Sequence, residues 1–159
     1  MRQIQNFDPE FAVALPETCQ LLKASNLTVH PQVSRITLHG SRGLTQNYHP
    51  DSDIDLSLLV DIPSQAPPFD IEDVLQAVFE VSWTNWRSPI EVDLAVIFDV
   101  RQCALACFDQ TIWRDTVCTI GGVDCFGLFK RQRGFSGLVR NAGIQVKRMY
   151  PCLKIWQRA

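Results

Sequence analysis

The stretch LHGSRGLTQNYHPDSDIDLSLLV spans residues 38–60, and the reading of its second half decides the fold. Asp51, Asp53 and Asp55 stand at every second position, and the last two lead straight into the apolar run Leu56 to Val60. A run of that kind needs burial, and successive side chains of a strand point to opposite faces. Residues 53–60 are therefore predicted to form a strand with Ile54 and Leu56 toward a core. Asp53 and Asp55 then share the other face, roughly 6 to 7 Å apart. Two carboxylates held that close repel each other unless a cation neutralises them. Hard divalent ions such as Mg²⁺ take carboxylate oxygens and keep positions open for substrate phosphates.

A calcium loop is the competing metal reading, because Asp51, Asp53 and Asp55 match its opening D-x-D-x-D. That loop requires glycine at its sixth position and glutamate at its twelfth. Here those positions hold Leu56 and Ile62, which excludes it.

Working outward, residues 33–39 (VSRITLH) are rich in β-branched side chains and read as a strand close enough to pair directly with 53–60. Residues 90–98 (IEVDLAVIF) read as a third strand, in which Val92, Leu94 and Val96 face the core and Glu91 and Asp93 face away. Asp93 then joins Asp53 and Asp55 on one face. Three such acids can hold two metal ions about 4 Å apart, a separation suited to phosphoryl transfer. Gly40-Ser41 follows the first strand and is expected to open a helix. Its backbone N–H groups and hydroxyl could then grip phosphate, with Arg42 beside them.

The helices are expected on one side. Asp8-Pro9 and Pro16 mark helix starts before residue 26, and Asp70 is expected to cap a helix carrying Val74, Leu75, Val78 and Phe79. A loop is expected at 63–68 and a turn at Gly121-Gly122. A helix is expected through residues 101–108, a short strand in CFGLFKR, and a basic helix beyond Gly134, broken near Gly143 and ended before Pro151. The fold class is α/β, a small mixed β-sheet with helices packed on one face. Residues 1–125 form the domain and 126–159 a basic C-terminal extension.

The whole-chain numbers agree with one soluble domain: 159 residues, 46% hydrophobic and 20% charged. No apolar stretch reaches the length of a signal peptide core or a membrane span, so no membrane contact is expected and the chain is read as cytoplasmic. The net charge of −2 hides an asymmetry: residues 1–124 hold all 17 acids and seven basic residues, whereas 125–159 hold eight basic residues and no acid. Such a tail suits a partner protein, nucleic acid, or the chain's own acidic surface. The six cysteines show no C-x-x-C pair and read as small buried hydrophobes. The four tryptophans read as core, and His39, Tyr48 and His49 are given no role.

GSRG at 40–43, then DIDL at 53–56 and VDL at 92–94, resembles the signature of the DNA polymerase beta-like nucleotidyltransferases, in particular the minimal nucleotidyltransferases. The resemblance covers about residues 15–100. It implies the polymerase beta-like fold, with Asp53, Asp55 and Asp93 as catalytic residues and ligands of two Mg²⁺ ions. Gly40, Ser41 and Arg42 would hold the triphosphate of ATP or another nucleoside triphosphate. It further implies transfer of a nucleotidyl group, usually AMP, to a hydroxyl. The acceptor would lie on a protein partner such as the HEPN ribonuclease that minimal-nucleotidyltransferase antitoxins silence. Two other readings stay open: a non-catalytic module of the same fold that acts by docking, and a stand-alone enzyme acting on a small molecule or an RNA end.

Overall fold

The computed structural model describes residues 1–62, 68–114, 118 and 123–159. Helices α1 (Pro9–Ala14) and α2 (Pro16–Ala24) each begin on proline, which suits a first turn because it lacks the N–H that would go unpaired there. Asp8 caps α1 by accepting a hydrogen bond from the Glu10 N–H at 3.1 Å. Strands β1 (Arg2–Gln3) and β2 (Thr28–Val29) form a short antiparallel ribbon. The main sheet then takes β3 (Val33–His39), β4 (Ile54–Val60), β5 (Val92–Asp99), β6 (Phe126–Lys130), β7 (Gly137–Val139) and β8 (Leu153–Gln157). Between β4 and β5 runs the long helix α3 (Pro68–Asn85).

The six strands lie in the order β7-β6-β5-β4-β3-β8, and only β4 and β5 run parallel. That pair needs a crossover, which α3 supplies. The chain is thus an α/β protein with a mixed sheet. Its principal core lies between the sheet and the helices, where Ile54, Leu56, Leu58, Val92, Leu94 and Val96 meet Phe11, Leu22, Leu75 and Val78. A second core covers the opposite face, built from Leu59, Ile97, Phe108, Phe126, Leu128 and Val146 under loops and 3-10 turns. Two buried faces explain why β4 ends in an unbroken apolar run instead of alternating.

Four expectations about the rest of the chain are corrected. The stretch 101–108 forms no α-helix but ends in a single 3-10 turn at Ala106–Asp109. Ala104 and Leu105 take left-handed φ angles of 59° and 48°, held by Arg35, which donates to both carbonyls, and by Asp99, which accepts from the Ala104 N–H at 2.7 Å. These long-range bonds override good helix propensity. Beyond Gly134 there is likewise no α-helix; the chain makes β7, a 3-10 turn at Val146–Met149, and β8. The stretch 126–159 is therefore no extension, since it supplies three of the six strands and β8 pairs with β3. Finally, α3 begins at Pro68, so Asp70 sits inside its first turn and is not its cap. The expected turn at Gly121-Gly122 and most of the loop at 63–68 lie outside the described residues.

No helix among the described residues is long and apolar enough to cross a membrane. Cys19, Cys107, Cys125 and Cys152 are buried as small hydrophobes. Burial pushes the Cys107 and Cys152 thiols up to about 12, which keeps them unreactive.

Candidate metal centre

The parallel register of β4 and β5 sets Asp55 directly beside Asp93. A hydrogen bond from the Ile54 N–H to the Glu91 carbonyl, 2.9 Å long, carries the pairing to the edge of the strands and fixes Asp53 just ahead of β4. Alternation does the rest. Ile54, Leu56, Val92 and Leu94 are buried in the principal core, so the half-buried carboxylates of Asp53, Asp55 and Asp93 emerge together at the other face. One oxygen from each lies within 4.8 Å of the other two, and the group can hold a metal ion.

Two cations reach this cluster, Lys130 from the end of β6 and Arg133 from the stretch after it. The Lys130 ammonium lies 2.5 Å from Asp93 Oδ1, and Arg133 pairs with Asp53 while its Nε lies 3.5 Å from Asp93 Oδ2. Both ends of the basic asymmetry therefore meet here: the tail neutralises the chain's own acids, as Lys154 and Arg158 also do toward Asp109 and Asp61. Three carboxylates against two cations still leave the balance negative. Asp93 Oδ1 is buried and, beyond its ion pair, has no hydrogen-bond partner. Burial, reinforced by the Asp93 carboxylate alongside, pushes the Asp55 carboxyl up to about 7, against a smaller opposing pull from Lys130. An acid so reluctant to ionise gains from a divalent ion.

Gly40 contributes space. Its φ of +72° suits glycine, and a Cβ at this position would overlap Asp55 Oδ2. Gly40, Asp55, Asp93 and Lys130 line a cleft of 340 Å³, closed on one side by His39 and Met149. Ser41 is half-buried, and its hydroxyl makes no hydrogen bond among the described residues. The expected helix after Gly40 does not form. Residues 41–45 make successive turns, with the Gly43 N–H on the Gly40 carbonyl and the Gln46 N–H on the Gly43 carbonyl, each 3.0 Å.

Arg42, expected beside the phosphates, has its guanidinium engaged by the neighbouring loop. Its side chain is buried, donates to the carbonyls of Ser52 at 2.6 Å, Pro50 at 3.0 Å and His49 at 3.2 Å, and lies over the Tyr48 ring. A guanidinium spent on three carbonyls closes the 42–52 loop that leads into Asp53. His39 is buried too, linking Ser57 Oγ at 2.9 Å to the Met149 carbonyl at 3.0 Å. Burial holds its imidazole below the usual range. It ties the 3-10 turn to the sheet.

Sequence reasoning missed Lys130, Gln132 and Arg133 as residues of this centre. β6 pairs with β5 only as far as the Val96–Phe129 step. Beyond it the Gln132 amide stands in for a strand, accepting from the Leu94 N–H and donating to the Val92 carbonyl, both at 3.0 Å. Those two bonds bracket Asp93. The available signal was position: a run of cations directly after an apolar strand that neighbours acids.

No protein-family model matches the chain, and no curated protein or solved structure is significantly similar to it.

Proposed function

We propose that the chain is a Mg²⁺-dependent nucleotidyltransferase of the polymerase beta-like fold, moving a nucleotidyl group, AMP from ATP, to a hydroxyl on a partner macromolecule. The observation that carries this reading is the cluster of Asp53, Asp55 and Asp93 beside the Gly40-Ser41 turn at one end of the sheet. The donor set fits hard divalent ions: it is all carboxylate oxygen, one from each of three aspartates within 4.8 Å of the others, and glycine clears the room that Asp55 occupies. Bound Mg²⁺ would neutralise the phosphate charge that builds as the bond to pyrophosphate breaks.

The chain's own groups have the remaining tasks. Asp53 and Asp55 would hold the ions, while the Ser41 hydroxyl and the exposed backbone at Gly40 would meet the outer phosphates. Asp93, on the neighbouring strand, would accept the proton of the acceptor hydroxyl as its oxygen bonds to the α-phosphorus and pyrophosphate leaves. Arg133, more than half exposed, is free to exchange its carboxylates for phosphate oxygens once ions take its place. The acceptor hydroxyl would lie on a separate molecule such as a HEPN-type protein.

The test is incubation with Mg²⁺ and α-labelled ATP in the presence of a cell lysate. Release of pyrophosphate with transfer of label to one macromolecular species is the expected result. Label that stays in ATP across lysates, nucleotides and divalent ions would leave the docking reading in its place.

A further inference from the structure

The tryptophans were expected in the core, and Trp156 is buried there, but Trp83 is 44% exposed near the C-terminal end of α3. Its ring stacks on Phe79, with centroids 5.6 Å apart and planes 17° from parallel, so the indole is held flat while much of it meets solvent. Trp83 and Trp86 line a cleft of 530 Å³ together with Ser88, Glu91, Val92, Gln132 and Arg133. Trp86 is pinned by its N–H on the Ile90 carbonyl at 2.9 Å, whereas the Trp83 N–H makes no hydrogen bond among the described residues.

This cleft adjoins the carboxylates. Arg133 lines it and reaches Asp53 and Asp93, while Val92 and Gln132 flank Asp93 directly. The other described clefts lack this combination. The largest, 790 Å³, sits where β4 and β5 end, among Asp61, Asp99 and Asp109, and the one beside α2 has no aromatic lining.

Resting on the reading of the centre as a nucleotidyl-transfer site, we infer that the Trp83–Trp86 cleft is its nucleobase subsite. A nucleotide is a planar heteroaromatic ring joined through a sugar to a polyanion. Here a fixed aromatic platform, a guanidinium and a carboxylate cluster follow one another in the same order. The base stacks on Trp83, with the free indole N–H as a donor to a ring substituent; Arg133 takes the phosphates between. Stacking tolerates any base, so the subsite adds affinity more than choice among bases.

The experiment compares ATP with inorganic tripolyphosphate, each with Mg²⁺, by calorimetry and tryptophan fluorescence on the full chain. ATP is expected to bind roughly 5- to 150-fold more tightly, the range that stacking of one base is worth, and to quench fluorescence where tripolyphosphate does not. Trp83→Leu should bind ATP no better than tripolyphosphate, and Trp83→Phe should keep most of the difference, with thermal melting confirming that each variant is folded. Equal affinity of the unaltered chain for both ligands overturns the subsite while leaving the phosphate site intact. Failure of both ligands to bind overturns the subsite together with the nucleotidyl-transfer reading.

Discussion

Gly40 leaves empty the space that the Asp55 carboxylate fills: a Cβ on residue 40 would overlap Asp55 Oδ2. The glycine of the 40–43 stretch and the second aspartate of DIDL are thus one packing unit, joined across the β3–β4 pair where His39 faces Asp55. A methyl group at residue 40 must push the carboxylate aside.

Gly40→Ala is therefore expected to weaken divalent-ion binding at least tenfold while the sheet survives. The left-handed φ adds a stability cost of about 1–2 kcal/mol. Mn²⁺ titration by electron paramagnetic resonance, run beside thermal melting, separates the two effects. An alanine variant that binds Mn²⁺ as tightly as the unaltered chain would show that the contact does not govern the site.

The raised Asp55 carboxyl makes a pH prediction whose sign is fixed. With its folded value at about 7 against an ordinary 3.8, the folded chain binds more protons than the unfolded one across that window. Metal-free stability contributed by this group is present at the low end and lost as pH rises through about 7. A metal must displace the same proton, so divalent affinity should climb up to about pH 7 and level off above it. Mg²⁺ should accordingly raise the melting temperature more at pH 8 than at pH 5.5. An equal Mg²⁺ effect at both values would contradict this account of Asp55.

Gln132→Leu removes both bonds that bracket Asp93, leaving the Leu94 N–H and the Val92 carbonyl unpaired. A stability loss of about 1–3 kcal/mol is expected, read by urea unfolding. Since both Gln132 bonds go to the backbone on either side of Asp93, the variant should lose more in transfer rate than in affinity for Mg²⁺-ATP. A loss of affinity with unchanged rate would place Gln132 in binding instead.

How much of this was legible follows from the range of each signal. The strands β3, β4 and β5 and the common face of Asp53, Asp55 and Asp93 could be read because period-two alternation is local and the apolar run after Asp55 demands burial. The direction of Arg42 could not, because adjacency to Gly40-Ser41 says nothing of which carbonyls a long side chain will find. β8 went unread because LKIWQ is short and gains its strand character only from β3, more than a hundred residues earlier. The 3-10 turn at Ala106–Asp109 was hidden for the same reason, its geometry being imposed by Arg35 and Asp99. Lys130 and Arg133 looked like tail charge until the sheet brought them over the acids.

The most direct measurement is calorimetric titration of ATP with Mg²⁺ into the chain and into Asp53→Asn, Asp55→Asn and Asp93→Asn. The account predicts Mg²⁺-dependent binding to the unaltered chain and its loss in the Asp53 and Asp55 variants. The Asp93 variant should still bind, with transfer reduced by orders of magnitude in a parallel labelling assay. A folded, unaltered chain that takes up no Mg²⁺-ATP at millimolar concentration would contradict it.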